Sequence, residues 1–341
     1  MPETITALAP GRVNIIGDHT DYTGGLVLPM AIHLATTIQG VRGGAEVRLR
    51  SADEPDEAVV PIDVADPTEI EPMWGRYVAG VVKALGPRSG FTGTVTTTVP
   101  IGAGLSSSAA FEVALALALG AEGSPLELAQ LCQRAENEAT GVPTGIMDQL
   151  ASAAGVEGSA LLIDCHALSV EPVTLPPELE VVVVHSGQPR TLATSAYTER
   201  ALQLREAEAI VGPLRLISTV ADLAPIKDRT VFRRARHVVT ENSRVRQFVS
   251  ALRTLSGPEL HQELAALMAA GQRSLHGDFE NSTPTVEACI ERLLSIPGVV
   301  AARMTGGGWG GCIVALTHPG ALKEGWVVEP SSGARVLAEP L

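Results

Sequence analysis

PGRVNIIGDHTDYTGGLVLP, residues 10–29, is the stretch on which the fold turns. Arg12–Ile16 and Val27–Ile32 are short β-type runs, and the segment between them crowds polar, hydrogen-bonding side chains into a strand end and its following loop. Asp18, His19 and Asp21 are acceptors of the kind that fix the orientation of a polyhydroxylated ligand. An analogue lacking a hydroxyl would leave them unpaired. A loop of solvated charges is the plain alternative for the same residues.

Outward from this stretch, the first half reads as further β runs at Thr36–Val41, Ala45–Arg50 and Thr92–Val99, with helices between and after them. A helix is expected over Trp74–Leu85, and another opens at Ser106–Ser108 and runs to Leu119. Ser124-Pro125-Leu126-Glu127 joins an N-cap serine, a proline at the first helical position and a glutamate three residues after the cap. It predicts a helix to about Ala139, with Glu136 at the edge of its apolar face. A third helix is expected from near Thr144, carrying Asp148 in its first turn, followed by strands at Ala160–Asp164 and Glu180–His185.

From Ser195 to Leu294 the pattern is mostly helical; Phe232, Ala235, Val238, Val245, Phe248 and Leu252 mark one amphipathic helix. Two strands, Val299–Met304 and Cys312–Leu316, flank a glycine cluster. At 341 residues the chain exceeds what one core usually serves. The Pro176-Pro177 turn is the expected boundary, giving an α+β protein with domains 1–177 and 178–341 and a cleft between them.

Pro100-Ile101-Gly102-Ala103-Gly104-Leu105-Ser106-Ser107-Ser108 follows a strand and opens a helix. It sets free amides and three hydroxyls at a positive helix terminus, which suits a phosphate chain. Ser107 at the third glycine position weakens the dinucleotide-fold reading, and no G-x-x-x-x-G-K-[ST] occurs. The alternative is a tight turn with Ser106 as a helix cap. A nucleoside triphosphate here would take its Mg²⁺ ligands from elsewhere in the chain, and Ser108 with Glu136 is the natural pair. Met304–Cys312 holds five glycines in six positions, equally a sharp turn or a backbone meant to approach a ligand. Asp148, at a helix start after the apolar Ile146 and Met147, is either a dipole-stabilising residue or an ionised carboxylate able to accept a hydroxyl proton.

Composition bounds the rest. Forty-five per cent apolar and 18% charged residues describe a packed globular chain, with aromatics at only 3%. The net charge of −13 repels nucleic-acid phosphates and anionic membranes but not a nucleotide held by local amides. Cys132, Cys165, Cys289 and Cys312 are scattered as in a reducing compartment. No signal peptide or spanning segment is apparent, so a cytoplasmic protein is expected. Neither H-E-x-x-H nor G-x-S-x-G occurs.

Together, GRVNIIGDHTDYTGGLVLP, PIGAGLSSSAA and MTGGGWGGC resemble, in order and spacing, the three motifs of the galactokinases within the GHMP small-molecule kinases. AENEATGVPTGIMDQLASAAG, SAYTER and RARHVVTEN are similar to galactokinase segments as well. The resemblance implies a half like domain 2 of ribosomal protein S5 followed by a ferredoxin-like half. It implies ATP-dependent phosphorylation of D-galactose at the anomeric hydroxyl, Asp148 being the base and Arg12 the cation that holds it ionised and stabilises the transferring phosphoryl group. Gly102, Ala103, Gly104, Leu105, Ser106, Ser107 and Ser108 would wrap the ATP phosphates, and Ser108 with Glu136 would hold Mg²⁺. Sugar contacts would come from Asp18, His19, Thr20, Asp21, Gly145 and Tyr197.

Two positions depart from the family pattern: Asp18 replaces its glutamate and Thr144 its cysteine. The first opens the alternative of a 1-kinase for a related sugar such as N-acetylgalactosamine, galacturonate or arabinose. A silent sugar sensor is a further alternative, opposed by the intact Arg12, Glu136 and Asp148. The expected partners are a sugar and Mg-ATP, with no nucleic acid, no membrane and a monomeric state.

Overall fold

Small residues open the first sheet: in β1 (Thr4–Asn14) Ala7 and Ala9 alternate inward, and from Ala9 onward every residue is buried. The computed structural model describes residues 4–142, 144–189 and 193–337; Pro143, within a segment quoted above, lies outside them. After β1 come β2 (Leu26–Val27), β3 (Pro29–Arg42), β4 (Glu46–Ser51), β5 (Ala58–Pro61), α1 (Gly75–Leu85), β6 (Phe91–Thr97), α2 (Ser107–Leu119), α3 (Pro125–Thr140), α4 (Met147–Ala154), β7 (Ser159–Asp164) and β8 (Ser169–Thr174). The second half holds β9 (Glu180–His185), α5 (Ala193–Val211), α6 (Arg229–Thr254), α7 (Gly257–Ser274), α8 (Pro284–Leu294), β10 (Val299–Met304), β11 (Cys312–Thr317), β12 (Trp326–Val328) and β13 (Arg335–Leu337).

Strand order in the first sheet is β13-β1-β3-β6-β4-β5, with β4 and β6 parallel; the second is β10-β11-β9-β12, and β2-β7-β8 form a third. α2 lies against β1 and β3 and is apolar nearly all round, as a helix in the centre of a core must be. α3 starts on its capping box: Ser124 Oγ accepts from the Glu127 amide, and the Glu127 carboxylate accepts from the Ser124 amide at 2.7 Å. In α6 the stripe Ala235, Val238, Val245 and Phe248 is fully buried.

Three cores result. One lies within the first half, around Phe91, Val113 and Leu150; one lies mainly in the second, around Phe279 and Ile313. The middle core joins them, packing Ile15, Ile16, Leu28 and Met30 against Val245, Phe248, Leu264 and Val314. Pro176 and Pro177 lie in the β8–β9 connection, and β13 returns to the first sheet and pairs with β1, Thr6 opposite Leu337. It does so because β1 otherwise presents an unpaired edge.

Other local differences have physical reasons. β1 begins at Thr4 instead of Arg12, its alternation hidden by alanines. Val27–Ile32 and Thr36–Val41 are parts of β2 and one long β3, whose pairing with β1 continues past a register shift between Pro10 and Arg12. α4 starts at Met147 and not near Thr144, because Thr144 is tied into the preceding loop by Asn137 Oδ1 and Gln133 Nε2.

Candidate active site

A cavity of about 560 Å³ opens between the two halves. β1 ends inside it and delivers Arg12, only 5% exposed, whose guanidinium forks onto the Asp148 carboxylate with Nε on Oδ1 at 2.7 Å and Nη2 on Oδ2 at 2.6 Å. Its remaining arm, Nη1, donates to the Gly104 carbonyl at 2.8 Å. This planar, bidentate pairing is what arginine does and lysine cannot. Asp148 comes from the first turn of α4, keeps its side chain about one-third exposed to the cavity, and also accepts from the Ser106 hydroxyl.

The loop before α2 is shaped by left-handed backbone at Gly102, Gly104 and Ser106. Ser106 makes no side-chain cap; its hydroxyl serves Asp148, so the helix-cap alternative for that serine does not hold. Gly102, Gly104, Ser106, Ser107 and Ser108 line the cavity, whereas the side chains of Ala103 and Leu105 point into the middle core, leaving only their backbone for a ligand. Ser108 Oγ lies 3.3 Å from Glu136 Oε1. Burial first, and then the Asp148 charge, push the Glu136 carboxyl up.

The wall opposite is His19, Asp21, Gly145 and Tyr197. His19 adopts a left-handed φ of 65°, its Nε2 3.1 Å from the Gly307 carbonyl, its Nδ1 3.1 Å from Tyr22 Oη, and its ring centroid 4.4 Å from that of Phe279 and 5.6 Å from that of Tyr197. Burial, then Asp148, raise Asp21 to about 7. The Asp21 carboxylate presses on Gly145 so closely that a Cβ there would stand 1.8 Å from Oδ2. Only glycine fits.

Thr20 and Asp18 are placed differently. Thr20 is fully buried, spends its hydroxyl on the Gly17 and Leu26 carbonyls, and does not line the cavity. Asp18 reaches the cavity edge, yet both carboxylate oxygens are engaged: Oδ1 accepts from the Gly306 amide at 2.9 Å and Oδ2 pairs with Arg303 at 2.9 Å. Arg303 also pairs with Glu241 Oε1 at 2.8 Å, and that oxygen accepts from the Gly17 amide at 3.0 Å. Burial alone would raise Glu241, but Arg303 and Arg244 together hold it well below the usual carboxylate range.

His237 on the Asp18 carbonyl, Asn242 on the Leu26 amide and Asn281 on His19 complete the anchorage of the 17–26 loop. These residues carried no chemical signal of their own in the sequence. The readable hints were an arginine inside the apolar strand β10 and two polar positions, His237 and Glu241, in step with the apolar stripe of α6.

Two halves meeting over a serine-rich phosphate-type loop and an arginine-clamped aspartate define a small-molecule kinase of the GHMP type. The GHMP kinase N-terminal domain pattern matches residues 76–156, the GHMP kinase C-terminal pattern residues 248–326, and the galactokinase galactose-binding signature residues 2–41. The chain is 41% identical to the galactokinase of Homo sapiens over 92% of its length and 83% of that protein. It superposes on the galactokinase of Lactococcus lactis solved with galactose with a TM-score of 0.88 and 29% identity, covering 98% of this chain and 95% of that one. The mevalonate kinase of Methanococcus jannaschii shares the fold, with a TM-score of 0.65 and 18% identity over 93% and 91% of the two chains. The chain belongs to the galactokinase family.

Proposed function

We propose that the protein transfers the terminal phosphoryl group of ATP to the anomeric hydroxyl of D-galactose, giving α-D-galactose 1-phosphate and ADP. The observation that carries this reading is the Arg12 fork on Asp148, set in one cavity between the serine loop and the His19–Asp21–Gly145–Tyr197 wall. The sugar oxygen forms the new bond to phosphorus, the bond from phosphorus to the leaving ADP oxygen breaks, and the hydroxyl proton passes to the Asp148 carboxylate. Arg12 pairs with that carboxylate and adds positive charge beside the transferring group. Positioning and charge supply most of the rate in such a reaction, and the base contributes on the order of 10²–10⁴-fold.

His19, Asp21, Gly145 and Tyr197 hold the sugar, and Asp18 and Thr20 brace the loop that presents His19 and Asp21. Amides of the 102–108 loop, apart from that of Ala103, which donates to the Pro100 carbonyl at 3.3 Å, receive the phosphates. Ser108 and Glu136 are hard oxygen donors facing one another across 3.3 Å, a fit for Mg²⁺, which takes a few protein oxygens and completes its shell with water and phosphate. Among the described residues no group of three or more His, Cys, Asp or Glu could hold a metal ion. When bound, Mg²⁺ would neutralise charge on the polyphosphate.

The proposed active unit is a single chain, since one chain supplies every group named. The four free cysteines fit a reducing cytoplasm; among the described residues no helix is long and apolar enough to cross a membrane. The test is an ADP-release assay with Mg-ATP over galactose, N-acetylgalactosamine, galacturonate, arabinose, mevalonate and homoserine. Turnover of galactose well above the others is expected; no turnover of any sugar would refute the reading.

A further inference from the structure

We infer that Gln149 and Glu112 are positioning residues that fix the orientation of the Glu136 carboxylate for the metal ion, an inference that rests on the reading of Ser108 and Glu136 as its ligands. Both lie behind Glu136 and neither lines the cavity. Gln149 follows Asp148 in α4 and is fully buried; Glu112 is fully buried in α2, one helical turn after Ser108 and on the same face.

The geometry is specific to one oxygen. Gln149 Nε2 donates to Glu136 Oε2 at 2.8 Å and to Glu112 Oε2 at 3.3 Å, so one amide group with two hydrogens bridges two carboxylates. Thr144 Oγ1 lies 3.1 Å from the same Glu136 Oε2 and 3.0 Å from Asn137 Oδ1, its one hydrogen shared between the two acceptors. With Oε2 held by the Gln149 amide, the swing of the carboxylate is restricted, and Oε1 is the oxygen left facing Ser108. Glu112 in turn fixes the amide, since its Oε2 accepts the second hydrogen.

Packing alone does not account for this arrangement. Among the described residues, Gln149 Oε1 and Glu112 Oε1 have no hydrogen-bond partner, and such buried orphan oxygens destabilise a core that a leucine would fill without penalty. Groups that orient a metal ligand in this way alter metal affinity on the order of 10–100-fold when removed. α4 therefore sets two parts of the reaction from adjacent residues, the base through Asp148 and the metal carboxylate through Gln149.

The test is calorimetric titration of the full-length protein with ADP, in Mg²⁺ and in EDTA, beside the Mg²⁺ concentration giving half-maximal turnover. For Gln149→Leu, ADP affinity in Mg²⁺ is expected to fall about tenfold or more, with the half-maximal Mg²⁺ concentration rising to match. ADP affinity in EDTA and galactose affinity should each stay within about twofold. Glu112→Leu should shift the Mg²⁺ dependence in the same direction, and Glu112→Gln, which keeps an acceptor oxygen for the amide, should restore it.

If both leucine variants keep the wild-type Mg²⁺ dependence, or lose ADP affinity equally with and without the ion, the inference is overturned while the metal site stands. If the wild-type protein itself binds ADP equally in Mg²⁺ and EDTA, the metal assignment falls and this inference with it. Should Gln149→Leu not fold, the contrast between Glu112→Leu and Glu112→Gln decides.

Discussion

Replacing Arg303 by methionine removes a cation that pairs with two buried carboxylates. Asp18 and Glu241 have side chains 1% and 0% exposed, and Arg303 is wholly buried between them. Deleting one partner of a buried ion pair costs about 3–5 kcal/mol, because the other charge is left in the interior. Glu241 keeps Arg244, whose Nε lies 2.6 Å from Oε2, so the loss falls mainly on Asp18 and the lower end, about 3 kcal/mol, applies. With an unfolding entropy of about 2.1 cal/mol/K per residue over the chain, that is a fall in Tm of roughly 4 °C.

Two controls separate the charge argument from simple loss of packing. Asp18→Asn in the Arg303→Met background removes the stranded charge and should recover more than half of the deficit. The deficit should also depend on pH. Burial pushes the Asp18 carboxyl up, and without Arg303 it rises further. A carboxyl raised in the folded state contributes stability below the ordinary 3.8 and loses it as pH rises through the folded value, so the variant should lie closer to wild type at pH 5 than at pH 8. Thermal unfolding followed by circular dichroism measures all three. A Tm change under about 1 °C, or one unaltered by pH and by Asp18→Asn, would refute the ion network as the anchor of the 17–26 loop.

Asp148→Asn should lower kcat by on the order of 10²–10⁴-fold while leaving ATP affinity nearly unchanged; turnover within about twofold of wild type would remove Asp148 as base. Gly145→Ala puts a methyl 1.8 Å from Asp21 Oδ2, so kcat/KM for galactose should fall by more than about 10²-fold, with a far smaller effect on KM for ATP, as steady-state kinetics would register. Asp21, raised to about 7, binds its proton more tightly in the folded state. Stability from it is present below the ordinary 3.8 and declines as pH rises to about 7. Asp21→Asn should therefore be more stable than wild type at pH 8, by thermal melts, and lose that advantage toward pH 4.

Most helices and the central strands were legible because their signals are local. Ser124 and Glu127 announced α3, the six-residue stripe announced α6, and the runs at Glu180–His185 and Val299–Met304 read as strands at their observed bounds. β5, β8, β12 and β13 were not legible, since each is three to six residues long and gains its stability from pairing partners. In the cavity, the positions of Arg12, Asp148, Ser108 and Glu136 followed from spaced motifs. What the motifs could not say is which side chains already have partners within the protein. Thr20 and Asp18 belong to a ligand-type pattern, and only the fold reveals that Leu26, Arg303 and the Gly306 amide claim them first.

The pairing of β13 with β1 ties the two ends of the described chain into one sheet, Leu8 beside Arg335. Between them lie about three hundred residues and the whole of the second half. During synthesis β1 emerges before β13 and keeps one edge open until β13 follows, so a pairing of high sequence separation completes the first sheet. The helical half is thus enclosed within the span of the sheet it faces. Once the seam closes, the two walls of the cleft are joined at both ends of the second half, which limits how far they swing apart when a nucleotide enters.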